Sequence, residues 1–178
     1  MNEVRFPELL AIEKEIKGKR VAIVGNARTI FDKKNGKEID NHDFIIRFNR
    51  GFVVNKDSQG SRTDLLVLAC PMLENEAKAY KPRYIANRSK SYKNAYANFT
   101  INSYQRAKMK QIIGAQPSSG FMLMNICLYF KAAEIDLYGF DGITQSWPND
   151  PSYVTQHDYD TEQKIIQDYA FVGLIKIN

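Results

Sequence analysis

The stretch Val21–Gly51, VAIVGNARTIFDKKNGKEIDNHDFIIRFNRG, decides the fold. It opens as a buried strand, VAIV, and breaks at Gly25 into a polar loop. It returns as a second strand, DFIIRFN, that ends on Asn49 and Arg50. Two such strands bring Gly25-Asn26 and Asn49-Arg50 to one edge of a sheet. In open α/β sheets ligands bind beyond the carboxyl ends of the strands, so this edge is expected to hold a nucleotide.

Working outward, the chain alternates strands and helices. Pro7 and ELLAIEKEI predict a helix that Gly18 terminates. Strands are predicted at Arg20–Val24, Asp43–Phe48, Leu65–Ala69, Arg83–Ala86 and Ile135–Gly139, with LIKI as the last. Leu65–Ala69 is continuously apolar, as a strand covered on both faces must be. MLENEAKAY, SYQRAKMKQII, FMLMNICLYFKAA and TEQKIIQDYAF read as helices, the last opened by a capping box at Asp160-Thr161-Glu162-Gln163. This order predicts an α/β fold with a mostly parallel sheet between helices. At 178 residues one domain is expected: an N-terminal helix over 1–18, a core over 19–162, and a closing helix and strand over 163–178.

With 44% hydrophobic and 25% charged residues, the composition is that of a soluble globular protein. No apolar run is long enough to span a bilayer, and MNEVRFPELLAIEKEIKGK mixes acids into its apolar positions, unlike a signal peptide. The expected location is cytoplasmic, with peripheral contact at an inner membrane. The two cysteines, Cys70 and Cys127, follow apolar runs and read as buried thiols in a reducing compartment. The formal charge of +5 gathers between Lys78 and Lys110, where Lys and Arg stand among tyrosines and asparagines with no acid. That is either a solvated face or a surface for an anionic glycan, an acidic membrane or nucleic acid.

Neither G-x-G-x-x-G nor G-x-x-x-x-G-K-[ST] occurs, which disfavours a dinucleotide fold and a P-loop enzyme, and there is no G-x-S-x-G nucleophile elbow. Pro117-Ser118-Ser119-Gly120 opens a helix. Serine caps its N–H groups, the dipole favours an anion, and glycine admits close approach. A plain N-cap is the common reading of such a tetrad. Combined with the Gly25-Asn26 loop, it favours a phosphate-bearing ligand. Of the two histidines, His42 reads as a locally bonded turn residue. His157 has acids at 158, 160 and 162; a lone histidine is usually structural, but these neighbours predict a raised pKa and open a general-base role. Asp158-Tyr159-Asp160 matches a metal-binding D-x-D, although Asp160 also suits an N-cap.

These stretches resemble the animal-type sialyltransferases, glycosyltransferase family 29. AIVGN, KEID-x-HDF, R-x-NR and GSRT resemble the large sialyl motif; PSSGFMLMNICLYFKAAEIDLYGF the small one; HDYDTE the very small one. The resemblance runs from Lys19 to Glu162 and implies a single Rossmann-like domain of the glycosyltransferase-A type. It implies an inverting, metal-independent transfer of a sialic acid, or a related acidic sugar such as Kdo or another nonulosonate, from a CMP-activated donor to a glycan hydroxyl. Asn26, Asn49, Ser118, Ser119, Gly120, Phe140 and Asp141 match donor-binding positions, His157 the catalytic base, and Gly25 and Glu162 supporting positions. The CMP-sugar is a substrate; no cofactor or metal is implied.

Departures from the family are equally specific. Val21 and Ala132 occupy the positions of its bridging cysteines, consistent with a reducing cytoplasm. ITQSWPNDPSYVTQ lacks the third-motif histidine, leaving Trp147 or Tyr153 as candidates for its place. No stretch resembles the family's membrane anchor and stem. A compact bacterial or viral relative is the expectation, its acceptor a glycan of lipopolysaccharide or capsule, lipid-linked in some cases. Two rivals stand beside this reading. One is a metal-dependent transferase for nucleotide-diphosphate sugars using Asp158 and Asp160; the other is a non-enzymatic basic α/β module binding RNA or an anionic surface. The basic segment carries no recognisable RNA-binding motif, so no nucleic-acid partner is expected.

Overall fold

The structure is a computed structural model and describes residues 7–88, 94–101, 103–142 and 157–178, without the side chains of 7–9, 11 and 103–105. In chain order its helices are α1 (Pro7–Ile16), α2 (Gly36–Asp40), α3 (Lys56–Gln59), α4 (Glu74–Ala79), α5 (Ser103–Ile113), α6 (Ser119–Tyr129) and α7 (Tyr159–Phe171). Its strands are β1 (Arg20–Val24), β2 (Phe44–Phe48), β3 (Leu65–Leu68), β4 (Tyr84–Asn87), β5 (Phe99–Thr100), β6 (Glu134–Tyr138) and β7 (Lys176–Ile177). A 3-10 turn covers Arg28–Phe31.

The seven strands form one sheet in the order β5-β4-β3-β2-β1-β6-β7. Every pairing among the described residues is parallel. This is the expected α/β architecture, more uniformly parallel than the mixed pattern allowed. Alternation along the strands divides the core. Val21, Ile23, Phe44, Ile46, Ile135 and Leu137 face Ile12 and Ile16 of α1, Met109 and Ile113 of α5, the apolar body of α6, and Ile166 of α7. On the other face Ala22, Val24, Ile45 and Tyr138 meet Ile30 and Ile39, while Leu66, Leu68 and Ile85 meet Ala77 and Tyr80. Strands covered on both faces need the unbroken apolar runs that the sequence shows.

The strand order reverses at β1, which has β2 on one side and β6 on the other. The crevice at their carboxyl ends is the topological switch point where open α/β sheets place ligands. Val21 lies in the apolar cluster on one face of the sheet, and Ala132, half-buried, packs against that cluster.

Several expectations need correction. Cys127 is buried, but Cys70 is only half-buried, beside Arg50 and Asn49 at the end of β3. The last helix starts at Tyr159, and its N-cap is Asp158, not Asp160; the Asp158 carboxylate accepts from Thr161 N and Oγ1 at 3.0 and 2.8 Å. His42 does stand in a turn with a local bond, as expected, and in addition pairs with β6. It is buried, its Nδ1 2.9 Å from Glu38 O and its Nε2 2.7 Å from Asp136 Oδ2.

Candidate functional site

Three chain segments converge at the β1–β6 switch. The backbone at Gly25 bonds across it, Gly25 N donating to Tyr138 O at 2.8 Å. The Phe140 ring, just past β6, lies against both Gly25 and Gly120. A Cβ on Gly25 would stand 2.5 Å from Gly139 O, and one on Gly120 would stand 2.6 Å from the Phe140 ring. Glycine at both positions is therefore a packing requirement that brings the α6 N-terminus to the end of β1. Gly120→Ala is expected to cost about 1–3 kcal/mol by overpacking. In a Phe140→Ala background the same change should cost far less. Chemical denaturation of the four members of that cycle measures the coupling.

Asn26 and Asn49 reach the same edge, each with one amide atom committed to backbone. Asn26 Nδ2 donates to Phe48 O at 3.1 Å, joining the ends of β1 and β2. A Cβ on Gly51 would collide with the Asn26 amide, so that position must be glycine. Asn49 takes a left-handed φ of 48°, which asparagine tolerates, and its Oδ1 accepts from Ala69 N at 2.7 Å. The two asparagines hold strand ends together as well as lining the edge.

The rest of the large-motif stretch is a clamp that the sequence reading did not assign. Asp40 accepts from Ser61 N, Ser61 Oγ and Arg62 N. These bonds outweigh the effect of burial and hold its pKa below the ordinary carboxyl value. Arg62 donates to the Asp40 and His42 carbonyls. Arg47, buried in mid-strand, donates to Arg62 O at 2.9 Å and Gln59 O at 2.7 Å, and burial pulls its pKa down to about 10. KEID, Arg47 and GSRT are thus one polar lock between β2 and the segment after α3. Only the side-chain network, invisible in spacing, reveals it.

At α6, Ser118 is the N-cap, its Oγ accepting from Phe121 N at 3.1 Å, and Ser119 begins the helix. Glu162, buried on α7, accepts from Ser118 N with Oε1 at 2.5 Å. Burial raises the Glu162 pKa despite the bonds to Ser118. The same helix start holds His157: its Nδ1 lies 2.8 Å from Gln116 O. A carbonyl only accepts, so Nδ1 carries the proton and, in the neutral ring, Nε2 presents a lone pair. The His157 pKa lies below its ordinary value, not above it. Burial opposes the cation most strongly, and the Arg88 charge adds to it, against the favourable Gln116 carbonyl. The predicted raised pKa fails because Asp158 is turned to Thr161 and Glu162 to Ser118.

The structure therefore assembles Gly25, Asn26, Asn49, Ser118, Ser119, Gly120 and Phe140 along one edge, with His157 and Glu162 fastened to the start of α6. Asp141 follows Phe140 in the turn beyond β6. Among the described residues, no group of three or more His, Cys, Asp or Glu side chains could hold a metal ion. Trp147 and Tyr153 lie outside the described residues. Part of the basic segment is already paired, Lys78 with Glu74 at 2.7 Å and Arg83 with Glu15 at 2.9 Å.

The profile of glycosyltransferase family 29 (sialyltransferase) matches residues 4–105, more than half of the chain. The chain belongs to glycosyltransferase family 29. It is 26% identical over 198 aligned residues to CMP-N-acetylneuraminate-beta-galactosamide-alpha-2,3-sialyltransferase 1 of Mus musculus, and 24% identical to the Homo sapiens protein of that name. In each case 89% of this chain is covered, and the chain spans 58% of the relative's length. A mammalian sialyltransferase in complex with Gal-beta-1-3GalNAc-ortho-nitrophenol superposes with a TM-score of 0.65 at 16% identity, covering 95% of this chain and 72% of that one. The sialyltransferase CstII from Campylobacter jejuni, in complex with the substrate analogue CMP-3FNeuAc, superposes with a TM-score of 0.60 at 15% identity, covering 89% and 80%. These two likenesses establish a shared sialyltransferase fold. The family match ends before α6 and α7, so the small-motif stretch and His157 rest on the sequence resemblance and on the geometry above.

Proposed function

We propose that the chain is an inverting, metal-independent glycosyltransferase that moves a sialic acid, or a related acidic sugar such as Kdo or another nonulosonate, from a CMP-activated donor to a glycan hydroxyl. The observation that carries this reading is the His157–Gln116 contact. It fixes the ring so that the neutral base offers Nε2, within the segment that also anchors the α6 N-terminus. In the reaction the bond between the anomeric carbon and the donor phosphate oxygen breaks, and its electron pair leaves with CMP. The acceptor oxygen bonds to the anomeric carbon from the opposite face, and its proton passes to His157 Nε2. The α6 N–H groups and the Ser119 and Gly120 backbone receive the anionic phosphate. A phosphate monoester is stable as an anion, so its departure requires no metal. Asp158 and Asp160 then serve the start of α7, and the acceptor is a cell-surface glycan reached from the cytoplasmic side, with the basic segment toward an anionic membrane.

A thermal-shift panel tests the donor class. CMP at a hundred times its Kd should stabilise the protein by about 2.7 kcal/mol. UDP, GDP, NAD and ATP at the same concentration should move the melting temperature little. Transfer from a CMP-sugar should survive excess EDTA. Stabilisation by UDP or GDP in place of CMP, or activity lost to EDTA and restored by Mn²⁺, would refute the reading.

A further inference from the structure

The edge of the sheet opposite the site carries a surface of its own. The strands are parallel, so the residues that precede them lie together on the amino edge. α6 and α7 start beside the site and run back to that edge, where they end on Tyr129 and Phe171. Backbone bonds join the turns there: Gly18 N donates to Lys131 O and Ala133 N to Lys19 O, both at 2.9 Å. β7 pairs with β6 from Asp136 on, which sets residues 172–174 beside the turn before β6. Phe171 is 92% exposed, Val172 65%, Tyr129 60% and Leu174 50%. Exposed apolar residues are ordinary singly, but four of them at two helix ends and the approach to an edge strand make a patch. Lys17, Lys19 and Lys131 stand exposed beside it. None of the ion pairs among the described residues uses these three. The nearby Glu134 carboxylate is taken by Arg20 at 3.1 Å, and exposed Asp168 in the last turn of α7 adds one opposing charge. Further along, Lys81 and Arg83 directly precede β4, so the start of the basic segment lies on this edge too.

An apolar patch bordered by unpaired lysines has the chemistry of a lipid-water interface: side chains that enter the acyl boundary, and cations that meet lipid phosphates. A second copy of the chain fits it poorly, because a two-fold contact through the patch would bring the two lysine clusters together. We propose that the amino edge docks on an anionic membrane surface, with Phe171, Val172 and Leu174 entering the headgroup region and Lys17, Lys19 and Lys131 on the lipid phosphates. This gives the membrane contact of the reading above a defined face. A strand rises about 3.3 Å per residue, so the six residues from Lys19 to Gly25 span about 20 Å. Docking by the amino edge turns the donor edge toward the aqueous side and holds the reacting atoms at roughly that height. Resting on the glycosyltransferase reading, the acceptor hydroxyl then belongs to an outer sugar of a lipid-linked glycan, not to the sugar next to the lipid.

Vesicle flotation of the full chain tests the face, with melting temperature as the control for folding. The wild type should bind vesicles of mixed phosphatidylcholine and phosphatidylglycerol, bind pure phosphatidylcholine far less, and be released by salt. Lys17→Gln, Lys19→Gln and Lys131→Asn should each weaken binding about fivefold, and the three together should abolish most of its salt dependence. Asparagine suits position 131 because the backbone there is left-handed, with φ of 57°. Phe171→Ser with Val172→Ser should weaken binding about tenfold and leave the salt dependence in place. CMP stabilisation and transfer to a soluble acceptor should stay at the wild-type level in every variant, since none of these residues lies on the donor edge. Three results overturn the docking face: no binding of the wild type to anionic vesicles, equal binding to neutral ones, or binding that neither set of substitutions changes. A dimer in light scattering that Phe171→Ser with Val172→Ser converts to a monomer would assign the patch to a second copy and overturn it as well. Vesicle binding that follows the substitutions supports the face even where CMP fails to stabilise the wild type, so this proposal and the donor reading fail separately.

Discussion

Replacing His157 by alanine should lower transfer from the CMP-sugar about 10²–10⁴-fold while CMP still binds, the span that removal of a positioned base normally costs. The two effects separate because two groups of atoms are involved. The nucleotide phosphate meets the backbone at the start of α6, which Ser118 caps and Glu162 anchors through Ser118 N. None of those bonds uses the imidazole. The acceptor proton needs Nε2, which exists as a lone pair only because Nδ1 is held by Gln116 O. Asparagine at this position can still bond the carbonyl but has no basic nitrogen, so His157→Asn should fail like the alanine variant. The base works when deprotonated, and its folded pKa lies below the ordinary value. Activity should therefore be lost as pH falls through a value lower than that of an exposed imidazole, about 6.5. Parallel measurement of kcat/KM and CMP affinity decides. A variant that transfers sugar at the wild-type rate would sink the assignment, and so would one that no longer binds CMP.

What could be read in advance divides along a physical line. β3 is an unbroken apolar run, β1 is one beyond Arg20 and β2 is one but for Arg47, and burial on both faces leaves that signature in local sequence. The convergence of Gly25, Ser118 and Phe140 was legible because strand ends and helix starts are marked by glycine, serine and proline. The short α2 and α3 were not. They carry no helical period and are held by tertiary contacts, Asp40 bonding Ser61 and Arg62, and Gly36 packed where any Cβ would strike the Lys56 and Asp57 carbonyls. Nor could the environment of His157 be read from its neighbours. Carboxylates adjacent in sequence suggested stabilisation of a cation, yet Asp158 and Glu162 are turned away to different backbone N–H groups and Asp160 is exposed. Electrostatics follows distance in space, and the partner that matters most for His42 lies 94 positions away.

That partner supplies the largest expected effect on stability. Both His42 nitrogens face groups that only accept: Glu38 O at 2.9 Å and Asp136 Oδ2 at 2.7 Å. The ring must donate from both and is therefore an imidazolium, buried in a pair with a carboxylate between the α2–β2 turn and β6. Burial alone would lower its pKa, but the bonds to Asp136 and Glu38 reverse the sign and hold it above 6.5. The Asp136 carboxyl, likewise opposed by burial, is held below 3.8 by His42. Removing one partner strands the other charge in the interior, so Asp136→Ala or His42→Ala should cost about 3–5 kcal/mol, on the order of 10 °C in Tm for a domain of this size. The pH dependence follows from both directions of shift. The histidine contribution is complete below pH 6.5 and is lost as pH rises through its elevated folded value. The aspartate contribution is complete above 3.8 and is lost as pH falls through its depressed one. Wild-type stability should accordingly be greatest between these two ordinary values and decline toward alkaline pH. In His42→Ala the part of that decline owed to this ring should vanish. Because the desolvation of both charges is costly, a double replacement by apolar residues of matched volume should recover much of what either single change loses. Denaturant melts of the wild type, both single variants and the double variant across pH 5–9 test the account. An alkaline limb equally steep in His42→Ala would show that this imidazole is not the titrating group.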